Sequence, residues 1–321
     1  MWLGDAWRTG ATRAIGAVAM AALLAACGGG GEQIERFQPR RVVAFGDESS
    51  ILEQGTGRKW TINFKAAPTP EVPNPVIDCN QHAIWVQSLA NSYGVPFPEC
   101  PGSSTNNPSL IRARPNATVA DVRTQIDDFL LADAFTGKDL VTILVGVHDV
   151  LALNEQISAA SISVDAAVAQ AEALGTEAAN QVNRVARAGG KVIIATIPDQ
   201  SLTPFGRADA TRAGALHLLS ERFNSRLRVG LINDGRMIGL VLLDETMQAI
   251  ANSTGYNSTD PACNDATIAD VRTCNSQTLR TKDGAVASPA TWAWADNLRM
   301  SPLVQNSLAS VAITRANNNP F

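Results

Sequence analysis

Residues 41–47 read Arg41-Val42-Val43-Ala44-Phe45-Gly46-Asp47, four apolar residues in a row, then a glycine and an acid. A run this short and this continuously apolar predicts a strand covered on both faces, closed by a glycine turn. Three more runs have the same character: Leu140 to Gly146 (LVTILVG), Lys191 to Ile197 (KVIIATI) and Ile238 to Asp244 (IGLVLLD). Helical patterns fall around them, over Ala83 to Ser92, Val119 to Ala134, Asp165 to Ala188, Ala210 to Ile232 and Leu303 to Ala316. In Val119, Val122, Ile126, Phe129 and Leu130 the apolar spacing of three and four marks one buried face. Strands alternating with helices predict an α/β fold with a mostly parallel sheet. Trp60 to Phe64 reads as half of a small hairpin after the turn Gly55-Thr56-Gly57, and Pro68 to Pro115 mostly as loop with one helix.

Open α/β sheets carry their sites at the carboxyl ends of the strands, which directs attention to three places. Phe45-Gly46-Asp47-Glu48-Ser49 follows the first strand, and Gly146-Val147-His148-Asp149 follows the second. Near the end of the chain stands Trp294-Ala295-Asp296-Asn297-Leu298-Arg299-Met300-Ser301-Pro302. In order and spacing the three resemble the SGNH/GDSL esterases and lipases, whose blocks read FGDS, GxND and DxxHPT. Gln125-Ile126-Asp127, Ile197-Pro198-Asp199 before Thr203-Pro204-Phe205, and Phe223-Asn224 add to the likeness. It runs over essentially Arg41 to Phe321, so the domain is expected to be 41–321. It implies a three-layer αβα sandwich with about five strands in flavodoxin-like order.

The resemblance also implies roles, and most of the positions that would fill them have changed. In that family a serine attacks an ester carbonyl, a histidine takes its proton, and an aspartate orients the histidine. Backbone N–H groups and an asparagine hold the oxyanion. Here the serine position is Glu48, the asparagine position His148 and the histidine position Arg299; only the aspartate remains, as Asp296. The oxyanion glycine falls at Pro115-Asn116, where Asn116 still has an N–H to offer. A guanidinium stays protonated to above about pH 12 and cannot serve as a base.

Because the family's serine and histidine touch, the same positions here predict a Glu48–Arg299–Asp296 ion-pair triad. Ser49, with His148 as base, is weighed as a displaced nucleophile, and Glu48 with Asp296 as a glycosidase pair. His82 and His217 read as structural or surface residues. Trp85, Trp292 and Trp294 read as core in preference to the walls of a groove. The leading expectation is a non-catalytic or catalytically altered esterase-like domain that binds a ligand. An active carboxyl-ester hydrolase with a rearranged site and a purely structural protein are the alternatives.

The amino-terminal segment bears on compartment. Arg8 and Arg13 precede an uncharged run from Ala14 to Ala26, too short to span a bilayer but suited to a signal peptide. It ends in Leu24-Ala25-Ala26-Cys27, a lipobox pattern, with Gly28 to Gly31 after it. Residues 1–26 are thus expected to be a lipoprotein signal, and 27–40 a lipidated Cys27 with a flexible tether. That places a monomer at the bacterial envelope, on the outer membrane facing the periplasm. Loss of residues 1–26 removes two arginines and one aspartate, making the chain one unit more negative than its formal −4. Nothing basic enough for a nucleic-acid backbone remains. The expected partners are the membrane and a small acyl-ester, lipid or glycan ligand, without cofactor or metal. The other four cysteines fall into two local pairs, Cys79 with Cys100 and Cys263 with Cys274, the pairing of shortest loops in an oxidising compartment.

Overall fold

The structure, a computed structural model, describes residues 36–104, 106–264 and 266–321. The expected signal segment, Cys27 and the glycine run lie outside the described residues. The unit Phe37–Phe321 carries the elements described below, and its two ends meet where the Phe37 and Phe321 rings lie edge to face at 5.5 Å.

The four apolar runs form four of the five strands of the main sheet, and the helices lie where the apolar periodicity placed them, apart from three, one of them the single turn Pro204–Arg207. In chain order these are β1 (Arg41–Gly46), α1 (Trp85–Ser92), β2 (Leu110–Ile111), α2 (Val119–Ala132), β3 (Asp139–Leu144), α3 (Val147–Ser158) and α4 (Val164–Arg187). After them come β4 (Lys191–Ala195), α5 (Ala210–Gly230), β5 (Ile238–Val241), α6 (Leu243–Ala251) and α7 (Pro302–Asn318). The five strands make one parallel sheet in the order β2-β1-β3-β4-β5, with Arg41 opposite Asp139, Leu140 opposite Lys191 and Val192 opposite Ile238. This is the flavodoxin-like order, whose switch point lies between β1 and β3.

Side chains alternate across the sheet and so build two cores. Val43, Phe45, Val141, Ile143, Val192 and Ile194 pack under α2, α3, α4 and α5. Val42, Ala44, Leu140, Leu144, Ile193 and Ala195 pack under α1, α6 and α7 on the other side. The result is the expected three-layer αβα sandwich. Trp85 and Trp294 are fully buried and Trp292 nearly so, which makes all three core residues.

Two local expectations change, and one pairing is added. Trp60 to Phe64 is not a strand: the turn closes through an isolated bridge of Leu52 with Lys59, and the paired residues are Phe64–Lys65 against Ile77–Asp78. The run Ile238 to Asp244 stops pairing at Val241 because Leu243 already begins α6. Asn257–Pro261 pairs with Trp292–Trp294, beside a small third core of Ile62, Cys263, Cys274 and Ala295. Both cysteine pairs are disulfides, with Cα separations of 5.5 Å for Cys79–Cys100 and 5.9 Å for Cys263–Cys274.

Candidate active site

Two glycines set the floor of the site. Gly46 ends β1 at φ +126°, and a Cβ there would lie 2.0 Å from the Leu144 carbonyl oxygen. Gly146, at φ +120°, precedes α3 so closely packed on the Phe223 ring that a Cβ would come within 2.3 Å of it. Neither position accepts another residue without moving backbone or a buried ring. A buried amide then pins each strand end. Gln125 accepts from the Gly46 N–H at 2.9 Å and donates to its carbonyl at 3.0 Å. Asn224 does the same to Ile197, at 3.0 and 2.8 Å. The two clamps hold the last residue of β1 and the residue two past β4 by identical chemistry.

Beyond Gly46 the chain turns through one 3-10 turn, Glu48–Ser50, capped by Asp47. This turn aims Glu48 inward, and its carboxylate is nearly buried, with a side-chain exposure of 6%. Oε1 accepts from Arg299 Nε at 3.1 Å; Oε2 accepts from the Asn116 N–H at 2.9 Å and faces His148 Nε2 at 2.9 Å. Asn116 reaches it from the left-handed region, φ 58°. Arg299 in turn holds Asp296, Nη1 to Oδ2 at 2.9 Å, while Asp296 Oδ1 accepts the backbone N–H groups of Leu298 and Arg299. The expected Glu48–Arg299–Asp296 triad is therefore present, and it has a fourth member in His148.

The electrostatics follow from these contacts. Burial works to raise the Glu48 pKa, but the hydrogen bond and charge of His148, the Arg299 guanidinium and the Asn116 N–H outweigh it and hold the group at about 2. His148 moves the opposite way: burial disfavours its charge, yet Glu48 raises its pKa. With Glu48 ionised and unable to donate, the proton of this contact sits on His148 Nε2. Burial also pushes Asp47 up to about 6, helped by Glu48 beside it, and raises Asp149 to about 6 although the Val119 N–H donates to it at 3.0 Å.

The other candidates take different places. Ser49, weighed as a displaced nucleophile, turns both its N–H (2.9 Å) and its hydroxyl to Asp47 Oδ1, while His148 Nε2 is committed to Glu48. Ser50 accepts from the Trp85 indole at 3.1 Å. The Asn116 N–H, weighed as an oxyanion donor, already donates to Glu48. Asp296 and Glu48 are joined through Arg299 and not set facing one another across a ligand-sized gap. His82 bonds the Ile62 carbonyl oxygen at 3.0 Å, and His217 bonds Asp199 at 2.6 Å on an exposed helix face. Among the described residues no three His, Cys, Asp or Glu side chains converge as metal ligands. Beside the cluster lies a cavity of about 40 Å³ between Trp60, Leu144, Val147, Leu151 and Met300.

The link from Asn116 to Glu48 and the role of His148 as a partner of Glu48 were not foreseen from sequence. Both depend on the inward aim of the 3-10 turn. The signal available was the coincidence of one acid and two basic side chains at three positions that the motif order brings together.

No protein-family model matches the chain, and neither does any curated protein. Solved structures do. A member of the lipolytic protein G-D-S-L family from Veillonella parvula aligns at 10% identity and a TM-score of 0.45, over 85% of this chain and 96% of its own. An alpha/beta hydrolase from the metagenome of Lake Arreo aligns at 15% identity and 0.42, over 86% and 94%. Phospholipase A1 from Streptomyces albidoflavus aligns at 12% identity and 0.39, over 86% and 99%.

Proposed function

We propose that this domain is an SGNH/GDSL-like fold in which esterase chemistry is closed and a ligand-binding role remains, carried at the bacterial envelope by a lipid on Cys27. The observation behind this reading is the state of the Glu48 carboxylate. It takes the Asn116 backbone N–H, the Arg299 guanidinium and the His148 Nε2–H at once, which is the company an ester's oxyanion needs in an acyl-transfer site. A side chain of the protein thus sits where charge would develop on a substrate. The space left beside it, about 40 Å³, is far below the range of small-molecule sites.

Three further facts support the closure. The nearest imidazole bears its proton toward a carboxylate, so it has no lone pair to offer a hydroxyl there. Ser49 is bonded to Asp47 and not to a base. Arg299 fills the position from which a histidine would act, and its burial is offset by Asp296 and Glu48, which raise its pKa further. What remains accessible is the rim, formed by Trp60, Leu151 and Leu298, where a ligand could rest without reaction.

The test is hydrolysis of p-nitrophenyl acetate and butyrate by the purified chain, with Ser49→Ala and His148→Ala alongside. All three are expected to match the buffer blank. Turnover that disappears in either variant would show a working dyad and overturn the proposal.

A further inference from the structure

The main sheet ends in two unlike edges. β2 is only two residues long, and just beyond it Arg112 and Ala113 both donate their N–H groups to the Ala44 carbonyl oxygen. So short an edge offers no template for another strand. β5 is longer and pairs with β4 alone, without a register shift. It reads Ile238-Gly239-Leu240-Val241, with no charge or proline to blunt it.

The Val192 N–H donates to the Met237 carbonyl oxygen at 2.8 Å and the Thr196 N–H to that of Val241 at 3.0 Å. The ladder thus uses alternate residues of β5 and turns the N–H and carbonyl of Ile238 and Leu240 outward. Those of Ile238 are taken: its N–H donates to the Asp234 carbonyl oxygen and its own carbonyl oxygen accepts from Asn319 Nδ2, both at 3.0 Å. Those of Leu240 face a groove of about 690 Å³ whose apolar wall includes Leu231, Ile232, Leu242 and Val229, the last 73% exposed.

The two ends of this edge differ in charge. At the amino end of β5, Lys191, Arg236 and Arg315 stand against one acid. Arg236 Nε meets Asp234 at 3.2 Å, Lys191 Nζ donates to the Arg236 carbonyl oxygen at 2.8 Å, and Arg315 lies over Gly239. At the carboxyl end Asp244 and Glu245 share Arg228, at 2.6 and 3.6 Å. A basic end and an acidic end on one strand match those of a second copy that runs antiparallel, whereas a parallel copy would set like against like.

We propose that two copies of this chain pair through β5, antiparallel about a two-fold axis at Leu240, in place of the single copy expected from the sequence. Leu240 of each copy gives its N–H to the carbonyl oxygen of Leu240 of the other, the exchange of a hydrogen-bonded antiparallel pair. That register sets Ile238 against Leu242 and Arg236 against Asp244 of the second copy, basic end to acidic end. The pairing does not involve the Glu48 cluster, so ester turnover bears on the one reading and molecular mass on the other.

Sedimentation equilibrium of the full chain from about 1 to 100 µM tests it. The unaltered chain is expected to reach twice the single-chain mass, and less readily as salt is added. Leu240→Pro removes an N–H that points away from β4, so it spares the ladder and should weaken the pair at least about tenfold. Glu245→Arg, at an exposed site, gives the facing ends the same sign and should weaken it likewise, while adding Arg236→Glu should restore it. A single-chain mass throughout would overturn the proposal and leave the edge to a strand from another protein. So would a pair that Glu245→Arg leaves intact or that the double variant fails to restore, and these charge variants decide whether or not Leu240→Pro folds.

Discussion

The ends of β1 and β4 are held by the same device, a buried amide clamping one residue's N–H and carbonyl, but what stands on them differs. Beyond β4, Asn224 and Thr196 share Asp244, itself paired with Arg228, in a network that binds strand to helix and nothing else. Beyond β1, His148 and Arg299 meet at the Glu48 carboxylate at the mouth of the sheet, with Asp296 behind Arg299. The floor of a site and the groups standing on it are therefore separable. Gly46, Gly146 and Gln125 fix where a side chain points, and nothing in that geometry specifies that it be a serine.

The largest expected effect tests the charged end. Glu48→Ala removes the carboxylate that Arg299 and His148 share, leaving Arg299 with Asp296 alone, and should cost roughly 3 to 5 kcal/mol in urea denaturation. Adding Arg299→Ala should recover part of that loss, because the uncompensated charge goes with it. Equal losses in single and double variants would show that the cluster is not an interacting unit. Next comes the clamp: Gln125→Leu strips both partners from Gly46 and should cost roughly 2 to 3 kcal/mol, independently of pH. A strong pH dependence of that loss would join the floor to the charges above it.

A smaller effect separates the groups by pH. The Glu48 pKa is depressed from 4.5 to about 2, so the stability it contributes is present above pH 4.5 and is lost as pH falls toward 2. Asp47 and Asp149 are raised from 3.8 to about 6, so the folded state binds more protons than the unfolded one, and stability declines as pH rises from about 4 through 6. Stability should peak between these windows. Asp149→Asn keeps an acceptor for the Val119 N–H and should flatten the decline above pH 4, by roughly 1 to 2 kcal/mol at pH 7. An unchanged profile would mean that burial of Asp149 is not what shapes it.

Much of this was legible in the sequence because it rests on short-range rules. Continuous apolar runs marked β1, β3, β4 and β5, and the cysteine spacing marked both disulfides. β2 escaped because two residues, Leu110 and Ile111, make no periodic signal; α3 escaped because the motif at Gly146 to Asp149 reads as a turn. α6 was hidden by the apolar run of β5 continuing through Leu242 and Leu243. The ion pair of Glu48 with Arg299 could be expected, since motif order brings those positions together. The contacts of Glu48 with Asn116 and His148 could not, since they depend on a left-handed residue and on the aim of a three-residue turn.

If the Glu48 carboxylate fills a ready-made anion site, emptying that site should let a free carboxylate in. Thermal melting of Glu48→Ala in increasing sodium formate at pH 6, with sodium chloride held at matching ionic strength, measures this directly. The midpoint of the variant should rise by several degrees with formate while that of the unaltered chain stays level. Equal responses of the two proteins, or none in either, would contradict an anion site built from Asn116, His148 and Arg299.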